Sequence, residues 1–303
     1  HRRILIRQIA MKRLLCWLLI LSASLSHAQQ SKGRAPSKDL NVPDGITYSV
    51  QQYRESAPLR AGQVGIAYPN DASGKLPIVI CIHGGGWSKG DKDQMAWMAI
   101  RYAQRGYIGV TIAYRLNHEA PIPACVLDVK EAIRYIKSIS DDIHADPERI
   151  AVLGYSAGAH LALMAGLSPE AKEFKSDAYH DQDSSVDCVV AISAPIDFEE
   201  RLKRRGQLGF MPKEKSSNLD FIRPLAPLTW MHADQVPVLM LHGDQDPIVP
   251  AYNYEHFDTK CQQLGIDNFE LFVHEGGKHM FFFQEQKTTH PIVDRFLEKH
   301  LKY

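Results

Sequence analysis

The chain has 303 residues, 45% of them hydrophobic and 23% charged, which is enough to bury a sizeable core and too apolar for a disordered chain. Lys+Arg and Asp+Glu both number 35, so there is no basic excess of the kind a nucleic-acid binder carries. Arg2, Arg3, Arg7, Lys12 and Arg13 fall in the first 28 residues, which hold no acid; the remainder has 30 basic against 35 acidic residues, a net charge of −5 that calls for no anionic partner.

Met11 reads as the start of a secretory leader, with residues 1–10 as upstream read-through. Lys12 and Arg13 form a positive region, and residues 14–25 are mostly apolar but too few to span a bilayer. Ser26-His27-Ala28 puts small residues where a signal peptidase needs them. Residues 1–28 are therefore expected to be a signal peptide, giving a secreted or periplasmic protein with no stable membrane insertion; an uncleaved anchor is the alternative. Residues 29–45 are polar and read as a linker, ordered late or not at all.

From residue 46 to 303 the pattern is one α/β domain. Segments 46–50 and 63–68 are half polar and predict antiparallel edge strands. Segments 78–82, 108–113, 150–153, 188–192 and 236–241 are nearly continuous apolar runs, the signature of parallel strands covered on both faces. A last strand is expected over 269–273. Helical spacing predicts helices at 93–104, 126–139, 157–167, 252–264 and 291–301. This alternation implies a mostly parallel, doubly wound sheet with helices on both faces. Ligands in such sheets bind beyond the carboxyl ends of the strands. Residues 195–235 break the rhythm and read as an insertion, either a cap over the site or an ordinary surface excursion.

Cys81, Cys125, Cys188 and Cys261 follow the leader without a CxxC pair, so no zinc or redox motif is present, and neither metal nor cofactor is expected. Cys81 and Cys188 lie in strand-like runs and read as core residues.

Three motifs carry chemistry, and each follows a predicted strand. Gly154-Tyr155-Ser156-Ala157-Gly158 sits between strand 150–153 and an apolar helix, the context of a nucleophile elbow. Gly154 and Gly158 leave room for a tight turn, and the helix N-terminus behind Ser156 favours developing negative charge. His83-Gly84-Gly85-Gly86-Trp87 follows strand 78–82. Acyl transfer needs fixed donors for an oxyanion, and the N–H groups of Gly85, Gly86 and Ala157 are the candidates. Trp87 and Tyr155 are the candidate substrate contacts, although Trp87 would serve equally well as packing.

A serine needs a base. Of fourteen histidines, His279 is preferred because it lies on a glycine-rich loop between the last strand and the last helix. His83 reads as a loop brace, His160 as a core brace and His242 as support for the acid loop. In His242-Gly243-Asp244-Gln245-Asp246-Pro247, Asp246 lies farther out and beside a stiffening proline, so it is preferred over Asp244, which suits a turn. Glu275 is the third candidate. The order Ser156, Asp246, His279 is that of α/β-hydrolases.

With these segments, and with Ala113-Tyr114-Arg115-Leu116 and Asp128-Val129-Lys130, the chain from about residue 46 onward resembles the α/β-hydrolase superfamily. Within it, the chain is similar to bacterial esterases of the feruloyl and acetylxylan esterase (BD-FAE-like) branch. Lys278 before the histidine and Ala159-His160 after the elbow depart from the usual pattern. The resemblance implies an α/β-hydrolase fold and metal-independent hydrolysis of carboxylic esters by Ser156, Asp246 and His279. It also implies a small-molecule or polysaccharide ester as partner, with acetyl or feruloyl groups on plant polysaccharides as the expected acyl groups. A general short-chain carboxylesterase or lipase, and a non-catalytic glycan-binding protein on the same fold, are the alternatives. Kynurenine formamidases share part of the glycine motif, but the leader argues against a cytosolic amide substrate.

Overall fold

The computed structural model describes residues 40–55, 58–169 and 171–302; the expected signal peptide and residues 29–39 of the expected linker lie outside them. Among the described residues, eight strands form one sheet in the order β1-β2-β4-β3-β5-β6-β7-β8. They are β1 (Ile46–Gln52), β2 (Gln63–Pro69), β3 (Leu76–Ile82), β4 (Ile108–Ile112), β5 (Ala145–Tyr155), β6 (Cys188–Ile192), β7 (Val238–Gly243) and β8 (Phe269–His274). As the half-polar patterns predict, β1 and β2 run antiparallel to their neighbours. The remaining pairs are parallel.

Strand residues alternate between two cores because successive side chains point to opposite faces. Ile78, Ile80, Ile150, Val152, Val189, Ala191, Val238 and Met240 face one layer. Val79, Cys81, Ala151, Leu153, Cys188, Val190, Leu239 and Leu241 face the other. The first layer is closed by α2 (Ala124–Ser138), α3 (Ala157–Leu167) and α6 (Tyr252–Leu264), and the second by α1 (Ala96–Ala103), α7 (Phe281–Gln284) and α8 (Gln286–Leu301). Helix α3 is buried all round, as its uniformly apolar sequence requires. Among the described residues no helix is long and apolar enough to cross a membrane.

Several boundaries differ from the sequence expectation. The helix expected over 93–104 begins as a tight 3-10 turn, Lys92–Met95, capped by the Asp91 side chain. The helix expected at 291–301 starts at Gln286, with Pro291 inside it; burial of Val293, Phe296 and Leu297 in the layer shared with the sheet, and the Thr289 hydroxyl bonds to the Phe282 and Glu285 carbonyls, outweigh the lost backbone donor. β7 starts at Val238 because Pro237 has no N–H to give the ladder. The end of the expected linker is docked: Leu40 and Val42 pack beside Tyr48, Val50 and Ile100.

Segment 195–235 lies between β6 and β7 and contains α4 (Phe198–Arg205) and α5 (Leu219–Ile222). Its Phe198, Leu208, Phe210, Ile222 and Leu225 belong to the core cluster of α2 and α3. The four described cysteines are buried and unpaired.

A buried ion-pair network joins α2 to the loops before β2 and after β4. Asp128 has a fully buried side chain. It accepts from the Arg115 backbone N–H at 2.8 Å and from Arg115 Nε at 2.9 Å. Arg54 pairs with both Asp128 and Glu131, one turn along the helix.

Candidate active site

Ser156 is the hinge between β5 and α3. Its φ of +54° and ψ of −120° are strained for a residue with a Cβ, a conformation that costs about 1–3 kcal/mol and persists where the surroundings enforce it. Here the enforcement is visible. The Ser156 N–H donates to the Ile192 carbonyl at 2.8 Å, tying the turn to β6. Behind it, a Cβ on Gly158 would sit 2.3 Å from the Ile82 carbonyl oxygen and 2.5 Å from that of His83. Only glycine lets α3 press this closely on the end of β3.

The glycine loop after β3 lies against the same turn: a Cβ on Gly84 would meet the Tyr155 carbonyl at 2.9 Å and the Ser156 Cβ at 3.2 Å. Gly85 and Gly86 both have positive φ, +117° and +60°, so the chain reverses directly beside the serine. His83 braces this loop, as expected: its Nδ1–H donates to the Gly84 carbonyl at 2.7 Å and its ring stacks on Tyr114 at 4.2 Å.

His279 and Asp246 reach the serine from the loops that follow β8 and β7. His279 Nε2 lies 3.0 Å from Ser156 Oγ, and His279 Nδ1 lies 2.7 Å from Asp246 Oδ2. In this arrangement Nδ1–H donates to the carboxylate and leaves Nε2 to accept from the hydroxyl. The other carboxylate oxygen accepts from Ile248 N–H at 2.8 Å and Val249 N–H at 2.9 Å. Burial pushes the Asp246 carboxyl upward, but the His279 hydrogen bond and these N–H donors outweigh it and hold it below its ordinary value. It is therefore an anion in a site with almost no exposure to water.

The other candidates fall elsewhere. Asp244 lies in the turn after β7, its N–H donating to the His274 carbonyl, and Glu275 is exposed. His242 is fully buried and bonds the Val249 carbonyl at 2.8 Å, so it supports the acid loop. His160 bonds the Leu225 carbonyl at 2.8 Å and takes the Trp87 indole N–H. Tyr155 points its hydroxyl at the His279 carbonyl, 3.2 Å away, and so buttresses the histidine loop. Trp87 is 3% exposed and stacks on Phe210 with ring centroids 4.2 Å apart; it is mostly packing, yet one edge borders a cavity.

That cavity, about 600 Å³, opens beside Gly86 and is also walled by Asn117, Arg201, Arg205 and Phe210. The reading of 195–235 as an insertion, either a cap or a surface excursion, assigns these residues no role. The signal available was the basic run Arg201, Lys203, Arg204, Arg205 on one short helix. Among the described residues no group of three or more His, Cys, Asp or Glu is placed to hold a metal ion.

A strained serine at a strand–helix turn, answered by an acid and a histidine from the ends of the last two strands of a mostly parallel sheet, is the layout of the α/β-hydrolase fold, and this chain has that fold. Residues 64–261 match the BD-FAE family model, and the chain belongs to the BD-FAE family. It is 29% identical over 203 residues to a probable carboxylic ester hydrolase, LipM, of Mycobacterium tuberculosis, covering 64% of this chain and 47% of that protein. Its fold is similar to that of a truncated carbohydrate esterase from gut microbiota, with a TM-score of 0.72, 22% identity and coverage of 88% of this chain and 99% of the other. The same holds for the Thermogutta terrifontis esterase Est2 with butyrate bound, with a TM-score of 0.71, 23% identity and coverage of 84% and 94%. The chain spans about half the length of the curated relatives it matches.

Proposed function

We propose that this chain is a serine-dependent carboxylic ester hydrolase that removes small acyl groups, acetyl or feruloyl, from plant polysaccharides outside the cytoplasm. The observation that carries the reading is the continuous line of hydrogen bonds from Asp246 through His279 to Ser156, 2.7 and 3.0 Å long. Family membership and the esterase and carbohydrate esterase names among similar proteins support it. The leader-like composition of residues 11–28 supports export.

In this reading His279 Nε2 takes the Ser156 proton as Oγ bonds to the ester carbonyl carbon. The carbonyl oxygen becomes an oxyanion held by the N–H groups of Gly85, Gly86 and Ala157, each contributing about 3 kcal/mol to the transition state. Collapse breaks the bond to the alkoxy oxygen, and His279 returns the proton to the departing alcohol. Water then enters, gives a proton to His279 and attacks the acyl-enzyme. Ser156 leaves with that proton and the carboxylic acid is released, one water consumed per ester. Asp246 stays ionised throughout and compensates the charge on the imidazolium. Trp87 is the proposed substrate contact, by its edge in the cavity wall, and Tyr155, the other candidate, is proposed as a positioning residue that holds the loop carrying the base.

The test is hydrolysis of 4-nitrophenyl acetate with covalent labelling by a fluorophosphonate, the adduct located by peptide mass spectrometry. A label on Ser156 and a loss on the order of a millionfold in Ser156→Ala are expected. A folded protein that binds glycan, takes no label and turns nothing over would leave a binding module instead. Acetylated xylan and feruloylated arabinoxylan, assayed side by side, decide the acyl group.

A further inference from the structure

The cavity beside Gly86 has a cationic wall, and the neighbouring sequence explains why it stays cationic. Helix α4 reads Phe198-Glu199-Glu200-Arg201-Leu202-Lys203-Arg204-Arg205 and is held at both ends. Asp197 caps it by accepting from Glu200 N–H at 2.8 Å, and Gly206 ends it with φ +71°. Both of its acids are already engaged: Glu199 with Arg223 at 2.8 Å, and Glu200 with Arg204 at 2.8 Å and Lys203 at 3.6 Å. Arg201 and Arg205 are the two arginines left to face the cavity. Among the described residues neither has a carboxylate within 4.0 Å.

Arg201 is partly buried, with its guanidinium 5.2 Å from the centre of the Phe210 ring. Burial and the neighbouring Arg205 charge both act against its protonated form. Arg201 is half-buried beside the like charge of the exposed Arg205, and with no counter-ion among the described residues that repulsion is relieved by an anion that enters from solution. A guanidinium offers paired donors that match a carboxylate. The cavity also touches Gly86, one of the proposed oxyanion donors, so an ester seated there would have part of itself in reach of the arginines.

We propose that Arg201 and Arg205 select esters that carry a carboxylate, on either the acyl or the alcohol side. This deepens the ester-hydrolase reading and rests on it. The two sources are a dicarboxylic half-ester and an acylated uronic acid unit of a polysaccharide. Their shared chemistry is an anion within one sugar or short-chain length of the scissile carbonyl.

The experiment compares kcat/KM within two matched pairs. On the acyl side, 4-nitrophenyl hemisuccinate is set against 4-nitrophenyl butyrate; on the alcohol side, acetylated methyl galacturonate is set against acetylated methyl galactoside. In at least one pair the anion should be favoured about tenfold or more, mostly through KM. The preference should shrink in Arg201→Gln and Arg205→Gln, return in Arg201→Lys, and fall with added salt. Calorimetry of monomethyl succinate against dimethyl succinate, on Ser156→Ala protein, reads the anion site without turnover. Equal kcat/KM in both pairs, a preference that survives in the Arg201→Gln/Arg205→Gln double variant, or equal heats from the two succinates overturns the proposal. Failure to hydrolyse any ester, with monomethyl succinate still bound through Arg201, would instead overturn the hydrolase reading.

Discussion

The Trp87 indole N–H donates to Nδ1 of the buried His160 at 3.2 Å, and this determines which imidazole nitrogen carries the proton. With Nδ1 accepting, Nε2–H donates to the Leu225 carbonyl at 2.8 Å. One neutral ring therefore ties the glycine loop, the elbow helix α3 and segment 195–235 together. A protonated ring would confront the indole N–H with a second donor.

Stability should consequently fall on mild acidification. Burial holds His160 and His83 down at about 4, from an ordinary 6.5. Between those values the unfolded chain takes up protons that the folded chain refuses, so stability is full above about pH 6.5 and declines toward pH 4. Each histidine should contribute a loss of about 2 kcal/mol at pH 5. Urea unfolding at pH 7 and pH 5 measures the total, to which the buried His242, also held below its ordinary value, contributes; in His160→Gln, which can keep both partners, the drop should shrink by about 2 kcal/mol. An identical pH dependence in that variant would contradict the account.

Replacing Asp246 with Asn should lower kcat on 4-nitrophenyl acetate by about 10⁴-fold with little change in KM. The amide removes the charge that steadies the imidazolium, and when its N–H₂ faces Nδ1 it favours the tautomer that cannot accept from Ser156. The rate of fluorophosphonate labelling should fall in parallel. A variant that labels at the original rate would show that the carboxylate does not orient the base.

Gly158→Ala adds a single methyl group where the Ile82 and His83 carbonyl oxygens stand 2.3 and 2.5 Å from its carbon. Backbone on both sides must move, and overpacking of this kind costs about 1–3 kcal/mol. Because the displaced parts are the nucleophile turn and the glycine loop, turnover should fall as well, by about 100-fold for a shift near 1 Å. Thermal melting and steady-state kinetics on the same preparation check both effects.

Asp128→Asn should destabilise the fold by about 3 kcal/mol, since it leaves Arg54 and Arg115 beside a neutral group in a site with no exposure on the acid side. Urea unfolding of this variant reads the loss. Asp128→Glu, with the charge kept but the geometry changed, should recover only part of it.

Much of the fold was legible because it depends on local pattern. Strands 78–82 and 188–192 were readable as covered on both faces because they have no polar side to give to water. The order of strands in the sheet was not readable, since nothing within β3 states that its neighbours are β4 and β5. Helix α8 begins five residues before the 291–301 range that its spacing predicts, because contacts with the sheet, absent from any local rule, extend the helix past Pro291. The docking of Leu40 and Val42 was missed for the same reason: their polar surroundings resemble a linker until β1 and α1 are in place.

For the site, local pattern is enough to place the residue types at the strand ends: a serine between glycines, an acid beside a proline and a histidine on a glycine loop. Each motif is local, because a turn too tight for a side chain or a loop needing positive φ leaves its mark in a few consecutive residues. It takes the folded chain to bring Asp246, the acid the sequence favours, within 2.7 Å of His279, and to set Arg201 and Arg205, without carboxylate partners among the described residues, in one cavity wall with Gly86. Those outcomes depend on distances between segments far apart in the chain, and on which neighbouring acids are already paired. Side-chain chemistry can be read one residue at a time, whereas a field or a hydrogen-bonded line exists only once the chain has folded.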